Sequence, residues 1–290
     1  MKELVIISGK GGTGKTSLVA AFASLAEKMV LCDADVDAAD LHLIMTPTIR
    51  EGQEFQGGHE AIIDKDRCTE CGLCVELCKW NAIDENFNVL SLECEGCGVC
   101  HYFCPVAAID FPLKTCGEWF ISDTRFGPMV HARLGIAEEN SGKLVTLVRQ
   151  EARKLSEEKD FDLILTDGPP GVGCPVIASI GGASAVLIVT EPTVSGKHDM
   201  IRVAQLADHF NVPAMVCVNK YDLNPEKNRE IEEFTINKGL TFLGHIPFDP
   251  IFTKAMVQGQ NVFEYNTNSE ACRVVKQIWE KIIKVIGINK

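Results

Sequence analysis

A glycine-rich segment near the start of the chain restricts its fold more than any other feature. Residues 8–16 read SGKGGTGKT, after a short apolar run at residues 4–8 and before a helical pattern at residues 16–28. Glycine lets the backbone curl so that its N–H groups point inward, and the amino terminus of the helix adds partial positive charge. A strand, a loop of this kind and a helix in succession predict a phosphate-binding loop in an α/β domain.

The rest of the chain supports a parallel sheet, because short apolar runs alternate with helical patterns. Several of these runs are almost continuously apolar, which is typical of strands covered on both faces. We therefore predict a doubly wound, mostly parallel α/β fold with ligand sites at the carboxyl ends of the strands. The strands are expected at residues 4–8, 29–33, 161–167, 186–189 and 215–218, and helices at residues 16–28, 144–159 and 269–286.

Within the loop, each residue type has a chemical reason to be there. Lys15 is expected to hold the β and γ phosphates, and the Thr16 hydroxyl is expected to ligate Mg²⁺. The remaining candidate phosphate contacts are Gly11, Gly12, Thr13, Gly14 and Ser17.

A second lysine, Lys10, precedes the glycines. With it the segment KGGTGKT resembles the signature of the deviant Walker A ATPases, the superfamily that contains MinD, ParA, Mrp and the nitrogenase iron protein. The resemblance implies a homodimer, or a heterodimer with a similar ATPase, that holds ATP at its interface. It also implies that Lys10 reaches the nucleotide of the other subunit, as an arginine finger does.

Two acidic segments resemble other motifs of that superfamily. Residues 31–37, LCDADVD, look like its switch I and contribute Asp33, Asp35 and Asp37. The alternative for these three carboxylates is a solvated acidic strand end. Residues 161–171, FDLILTDGPPG, look like the Walker B strand followed by switch II, so that Asp167 would lie beside Mg²⁺ and the Gly168 N–H would face the γ phosphate.

The base of the nucleotide is expected near the end of a later strand. Asn219, in VNK, resembles the base-recognition residue of the superfamily, since an amide side chain can pair with the adenine edge. Pro247 and Asp249, in IPFDP, resemble the loop that flanks adenine.

The cysteines contain an internal repeat. Residues 68–83, CTECGLCVELCKWNAI, match residues 94–109, CEGCGVCHYFCPVAAI, position for position. Both carry C-x2-C-x2-C-x3-C, the spacing that wraps three corners of a 4Fe-4S cluster while the fourth cysteine crosses to a second cluster. Lys79 replaces the proline that usually follows the fourth cysteine. Zinc bound by paired C-x2-C units is the alternative, although tetrahedral zinc needs no third cysteine at this spacing.

The expected ligand sets follow from that crossing. One cluster would take Cys68, Cys71, Cys74 and Cys104, and the other would take Cys94, Cys97, Cys100 and Cys78. We therefore predict a ferredoxin module at residues 57–112, inserted into a discontinuous ATPase domain of residues 1–56 and 113–290.

Charge and composition narrow the partners and the compartment. The net charge is −12, which argues against sequence-independent binding of nucleic acid. The clustered cysteines and the absence of a recognisable leader in the first ten residues favour a reducing, cytoplasmic location. Membrane attachment through the last helix is less expected than packing of that helix on the sheet, along a stripe of Ala271, Val275, Ile278, Ile282 and Val285.

Five cysteines lie outside the two runs. Cys32, Cys217 and Cys272 stand in apolar surroundings and are expected to be packing residues. Cys174 follows Asp167 at an offset like that of a cluster ligand in the nitrogenase iron protein. A bridging metal site with Cys116, or with the same residue of a second subunit, is therefore a hypothesis, and packing in a turn is its alternative.

These features together suggest a dimeric ATPase that binds ATP, Mg²⁺ and two 4Fe-4S clusters. Coupling of ATP hydrolysis to electron delivery to a redox protein partner rests on analogy with the nitrogenase iron protein. Two alternatives stay open: a cluster carrier of the Mrp type, and a MinD-like positioning ATPase whose clusters act as a redox sensor.

Overall fold

The computed structural model describes residues 1–135, 138 and 140–288, which form two compact units. The first unit comprises Met1–Gln53, Trp119–Arg133 and Ser141–Lys290. The second comprises Glu54–Glu118 and Leu134–Asn140. The predicted insert at residues 57–112 falls within this second unit, which extends further on both sides because its flanks are strands that continue from the first unit.

The structure contains both long and very short strands. In chain order they are β1 (Lys2–Ser8), β2 (Met29–Asp33), β3 (Thr48–His59), β4 (Ile62–Ile63), β5 (Ile109–Asp110), β6 (Leu113–Thr124), β7 (Gly127–Leu134), β8 (Leu163–Pro170), β9 (Ala185–Thr190), β10 (Ala214–Asn219) and β11 (Thr241–Ile246).

The helices are α1 (Lys15–Ala23), α2 (Leu41–Met45), α3 (Leu73–Leu77), α4 (Val99–Phe103), α5 (Ser141–Glu158), α6 (Cys174–Ile180), α7 (Val194–His209), α8 (Pro225–Asn237), α9 (Ile251–Val257), α10 (Val262–Tyr265) and α11 (Glu270–Ile286). No helix of the described residues is long and apolar enough to cross a membrane.

A nine-stranded sheet has the order β11-β10-β9-β1-β8-β2-β7-β6-β3. The strand pairs from β11 through to β7 are parallel, with β1 between β8 and β9. Parallel neighbours need crossover connections, and the helices that supply them cover both faces of the sheet. The predicted doubly wound, mostly parallel α/β fold is confirmed.

Two hydrophobic layers bury that sheet. On one face α1 and α11 pack together, with the rings of Phe22 and Trp279 stacked 5.2 Å apart. On the other face Met200 and Val203 of α7 belong to the same buried cluster as Val5 and Ile7 of β1. Alternate residues of β1 thus enter opposite layers, which is why its sequence is apolar throughout.

A buried ion pair fixes α5 against the same sheet. The Glu3 carboxylate accepts from Arg149 Nε at 2.6 Å and from Arg153 at 2.6 Å, and both Glu3 and Arg149 are almost wholly buried. Arg149 also donates to the Gly181 carbonyl at 2.9 Å, just after α6. The Arg149 side chain therefore connects α5 to β1 and to the end of α6.

Most predicted elements occur at the expected places, with shifted ends. Helix α1 stops at Ala23 rather than at residue 28, because the chain must turn into β2 and Lys28 adopts a positive φ of 46°. In α11 the predicted stripe is wrong at Val285, which is 45% exposed, whereas Trp279 and Ile286 are buried instead.

Candidate functional site

The glycine-rich segment forms an open loop between β1 and α1. Gly12 and Gly14 have φ of +79° and +86°, conformations that other residues adopt only with strain. A Cβ atom at Gly11 or Gly12 would meet no other atom within 4 Å, so the space above the loop is free. Gly14 caps α1, and the helix amino terminus therefore faces the loop. This geometry suits an anion such as a phosphate group.

Lys15 lies beneath the loop among carboxylates. Its Nζ is 2.6 Å from Asp167 Oδ1 and 3.3 Å from Asp35 Oδ2, and its side chain is 6% exposed. Burial alone would lower the pKa of Lys15, but attraction to Asp167 and Asp35 outweighs burial and raises the pKa. Lys15 is therefore charged, and its partners are Asp35, two residues after β2, and Asp167 within β8.

The same cluster contains three carboxyl groups and one lysine. Asp33 is fully buried beside Asp35 and Asp167, and burial together with the Asp167 charge raises its pKa well above the ordinary value. Burial also raises the pKa of Asp35 to about 6, although Lys15 opposes the shift. Within the described residues, Asp33 Oδ2 and Asp167 Oδ2 are buried without a hydrogen-bond partner.

Unpartnered carboxylate oxygens beside a phosphate loop are the donors that a divalent cation prefers. The set therefore fits Mg²⁺, with Asp167 and the half-buried Thr16 as the residues that would hold it. Ser17 is also half-buried in the first turn of α1. Asp37 is exposed, and its charge contributes to the raised pKa of Asp35.

Lys10 is held within its own subunit in this structure. Its Nζ is 3.4 Å from Glu191 Oε2, and 36% of its side chain is exposed. Glu191 also pairs with Lys220 at 2.5 Å, and Lys220 donates to the Gly12 carbonyl at 3.0 Å. The Glu191 carboxylate, which follows β9, thus connects Lys10 to Lys220, the residue after β10.

Asn219, the predicted base-recognition residue, packs directly on the phosphate loop. Its Nδ2 donates to the Thr13 carbonyl at 2.7 Å, and its Oδ1 accepts from the Lys220 N–H at 3.0 Å. The approach is so close that a Cβ at Gly14 would lie 2.5 Å from Asn219 Nδ2. The amide therefore positions the loop, and pairing with adenine stays a prediction.

The loop after β11 lies next to the loop after β10. Asp222 Oδ1 accepts from the Phe248 N–H at 2.7 Å, between the predicted residues Pro247 and Asp249. Asp249 accepts from the N–H of Ile251 at 2.9 Å and so supports the start of α9. Asp222 was not predicted from the sequence. Its position three residues after Asn219 was a signal that its carboxylate belongs to the same loop.

Gly168 lies inside β8 and not in a loop. A Cβ there would come within 2.9 Å of the Ile6 carbonyl oxygen, so the glycine is explained by close packing of β8 on β1. A contact between the Gly168 N–H and a γ phosphate stays a prediction.

The second unit contains two cavities lined by cysteines. One, of about 20 Å³, is lined by Cys68, Cys71, Cys74 and Cys104 among others. The other, also of about 20 Å³, is lined by Cys78, Cys94, Cys97 and Cys100 among others. These are the two crossed sets expected from the spacing, and the near-equal volumes agree with the internal repeat.

The backbone donates equivalent hydrogen bonds to the fourth cysteine of each repeat. The Cys78 and Cys104 Sγ atoms accept from the N–H groups of Ala82 and Ala108 at 3.3 and 3.2 Å. Among the described residues, no group of three His, Cys, Asp or Glu side chains is arranged to hold a metal ion.

The other cysteines divide into two groups. Cys32, Cys217 and Cys272 are buried, as predicted, and burial raises the pKa of each. Cys116 is buried in the second unit, whereas Cys174 is exposed at the start of α6 in the first unit. A metal site that contains Cys174 stays a hypothesis.

The phosphate loop, the Lys15–Asp167 pair and the parallel sheet define a P-loop nucleotide-binding protein. Residues 4–262 match the CbiA family, described as the CobQ/CobB/MinD/ParA nucleotide binding domain, and the chain belongs to this family. An uncharacterized protein of Methanocaldococcus jannaschii is 30% identical over 288 residues, covering 98% of this chain and 97% of that protein.

Other relatives match at greater distance or over a shorter segment. The septum site-determining protein MinD of Bacillus subtilis is 23% identical over 90% of this chain and 81% of its own length. The pyruvate synthase subunit PorD of Methanothermobacter marburgensis is 40% identical over 47 residues, which cover 16% of this chain and 58% of that subunit.

Among solved structures, the septum site-determining protein MinD from Pyrococcus horikoshii, complexed with Mg-ADP, matches with a TM-score of 0.61. The match covers 99% of this chain and 98% of that chain at 18% identity. The likeness establishes a shared fold.

The Gly14→Ala variant is expected to bind MgATP at least about tenfold more weakly. The new methyl group would force the positive φ into strain and would collide with Asn219. Gly239→Ala is the matched control, because Gly239 has a φ of +70° with no atom within 4 Å of the added Cβ. Titration calorimetry should show a loss only for Gly14→Ala, and equal loss in both variants would contradict the assignment of the loop.

The Asp35→Asn variant tests the cost of ionising the buried Asp35 carboxyl group. The folded-state pKa of about 6 exceeds the ordinary value of 3.8, so ionisation of Asp35 costs stability as the pH rises through 6. Without nucleotide or Mg²⁺, the variant should be more stable than the wild type by about 1–3 kcal/mol at about pH 7.5, and this difference should vanish near about pH 4. Urea unfolding at both values measures it, and a difference independent of pH would contradict the charge argument.

Proposed function

We propose that the protein is a dimeric MgATP-hydrolysing ATPase that carries two 4Fe-4S clusters in its cysteine-rich unit and couples the nucleotide cycle to electron transfer with a redox protein. The observation that carries the proposal is the pair of cavities, each lined by four cysteines drawn from both repeats. They occur in a chain that also has a complete phosphate loop.

The cavities favour iron–sulfur clusters over zinc. A single zinc ion draws four sulfurs to bonds of about 2.3 Å from one point, whereas a cubane cluster takes one thiolate at each iron and keeps the sulfurs apart around a volume. Four cysteines around a cavity suit the second case. When bound, such clusters supply one-electron transfer at low potential. The match to the pyruvate synthase subunit covers only 47 residues, a segment shorter than this unit.

The nucleotide chemistry is assigned to the first unit. Lys15 would leave its carboxylate partners for the β and γ phosphates, and Thr16 and Asp167 would hold Mg²⁺. We assign Asp35, the less buried partner of Lys15, to orienting the water that attacks the γ phosphorus, with ADP and phosphate as products. Its pKa of about 6 leaves it mostly ionised, and able to accept a hydrogen bond from water, at neutral pH.

Dimerisation is assigned to the surface that contains Lys10. This residue is partly exposed and is held by one ion pair with Glu191, which an incoming nucleotide phosphate of a second subunit would replace. The exchange makes ATP binding and subunit association mutually dependent.

A second candidate is MinD-like positioning of a cargo, with the clusters as a redox sensor. Whole-chain similarity to septum site-determining proteins favours this alternative. ATP-dependent sedimentation of the protein with liposomes would support it, and the electron-transfer proposal expects none.

Paired cysteine substitutions test the crossed ligand sets. Anaerobically purified wild-type protein should hold about eight iron and eight acid-labile sulfide per chain. Cys71→Ser combined with Cys104→Ser should leave about four iron, because both residues line one cavity. Cys71→Ser combined with Cys78→Ser should leave almost none, because the two residues line different cavities. The reverse order would show that each run holds its own cluster, and zinc in place of iron would overturn the proposal.

Nucleotide coupling is tested by electron paramagnetic resonance and redox titration of the reduced protein with and without MgATP. We expect MgATP to shift the cluster spectra or potentials in the wild type and to have no effect in Lys15→Ala, which retains all eight cysteines. Clusters that ignore nucleotide in both proteins would contradict the coupling and favour the sensor function or a cluster carrier of the Mrp type.

A further inference from the structure

Helix α4 of the second unit exposes an unusual amount of aromatic surface. Tyr102 is 81% exposed and Phe103 is 55% exposed, and their rings meet edge to face with centroids 5.0 Å apart. Val99 and Val106 beside them are also exposed. Single exposed apolar residues are ordinary, but an apolar cluster of this kind marks an interaction surface. We call these four residues the aromatic patch.

The aromatic patch adjoins both cavities. Helix α4 includes Cys100, which lines one cavity, and Cys104 follows one residue after the helix and lines the other. Val106 itself lines the cavity of Cys104. A protein seated on the patch would therefore lie close to sulfurs of both sets.

The other repeat provides an internal comparison. Helix α3 has the same length and the same place relative to its cysteines, and it has Glu76 where α4 has Tyr102. The residue equivalent to Phe103 is Leu77, which is half-buried. Because α3 forms without an exposed aromatic pair, holding the cysteines does not require one. Placement of the cysteines therefore does not explain the aromatic patch, whereas binding of a partner protein does.

Charge indicates which kind of partner fits. The second unit has fourteen Asp and Glu against four Lys and Arg, so it accounts for −10 of the net −12 of the whole chain. Bound clusters with thiolate ligands would add further negative charge. An apolar centre in an acidic surface attracts a protein with basic residues around an apolar centre, and such charge steers brief encounters.

We propose that the aromatic patch, Val99, Tyr102, Phe103 and Val106, is the docking surface for a redox protein with a basic rim. The inference rests on the proposed function in one respect, since it takes the partner to be a redox protein. The interface would be small and short-lived, as in other electron-transfer encounters.

The test is binding to a basic c-type cytochrome, whose lysines surround an exposed haem edge, used here as the probe. Tyr102→Lys and Glu76→Gln each raise the net charge by one, at equivalent positions of the two repeats. We expect Tyr102→Lys to weaken binding at least about fivefold in titration calorimetry at low ionic strength, and Glu76→Gln to change it less than about twofold. Tyr102→Phe, which keeps the ring, should bind as the wild type does, and added salt should weaken every complex.

The outcomes separate this inference from the proposed function. Iron content is measured on the same samples, so a protein without clusters contradicts the proposed function whatever the binding result. Equal weakening in Tyr102→Lys and Glu76→Gln would mean that net charge alone acts and would overturn the docking surface. Failure of the wild type to bind the cytochrome would also overturn it. Self-association of the wild type in ultracentrifugation, abolished by Tyr102→Lys, would also overturn the docking surface, because the patch would then bind a second copy of this chain.

Discussion

One buried cation among three buried carboxylates controls the nucleotide site. Lys15 pairs with Asp167 and Asp35, and burial together with the Asp167 charge disfavours ionisation of the third carboxyl group, Asp33. Burying carboxyl groups together is costly unless their charges are paired. Lys15 supplies that pairing to two of them, and the position of all three beside the phosphate loop is the physical basis for the proposed binding of Mg²⁺ together with a nucleotide.

The sheet places these groups together from distant parts of the chain. Lys15 follows β1, Asp33 ends β2, and Asp167 lies in β8, and these strands are adjacent and parallel. The whole second unit lies between Asp33 and Asp167 in the sequence. The Glu3–Arg149 ion pair joins β1 to α5, which follows the second unit in the sequence. The nucleotide site thus depends on contacts between residues that precede the cysteine-rich unit in the sequence and residues that follow it.

Local patterns predicted the mostly parallel α/β fold, because glycine loops and apolar runs are short-range signals. The C-x2-C-x2-C-x3-C spacing is also a short-range signal, and the crossed ligand sets that it indicates stay a prediction. Strand β2 was predicted to the residue, since both of its ends are marked by a change in polarity. The bounds of the second unit, Glu54–Glu118 in its longer segment, depend on tertiary contacts that leave no local pattern. Asp222 and Glu191 were missed for the same reason. Their partners, Phe248 and Lys10, are distant in sequence, and only the structure shows that they meet.

The crossing of the two cysteine sets also orders events during synthesis. The first three cysteines of one cavity leave the ribosome well before their fourth partner, Cys104, and the other cavity is incomplete until Cys100. Neither repeat lines a complete cavity by itself, because each cavity takes three cysteines from one repeat and one from the other. The two repeats must therefore fold together before either cavity is complete. Because each cavity uses cysteines of both repeats, the loss of either repeat in evolution would remove both cavities.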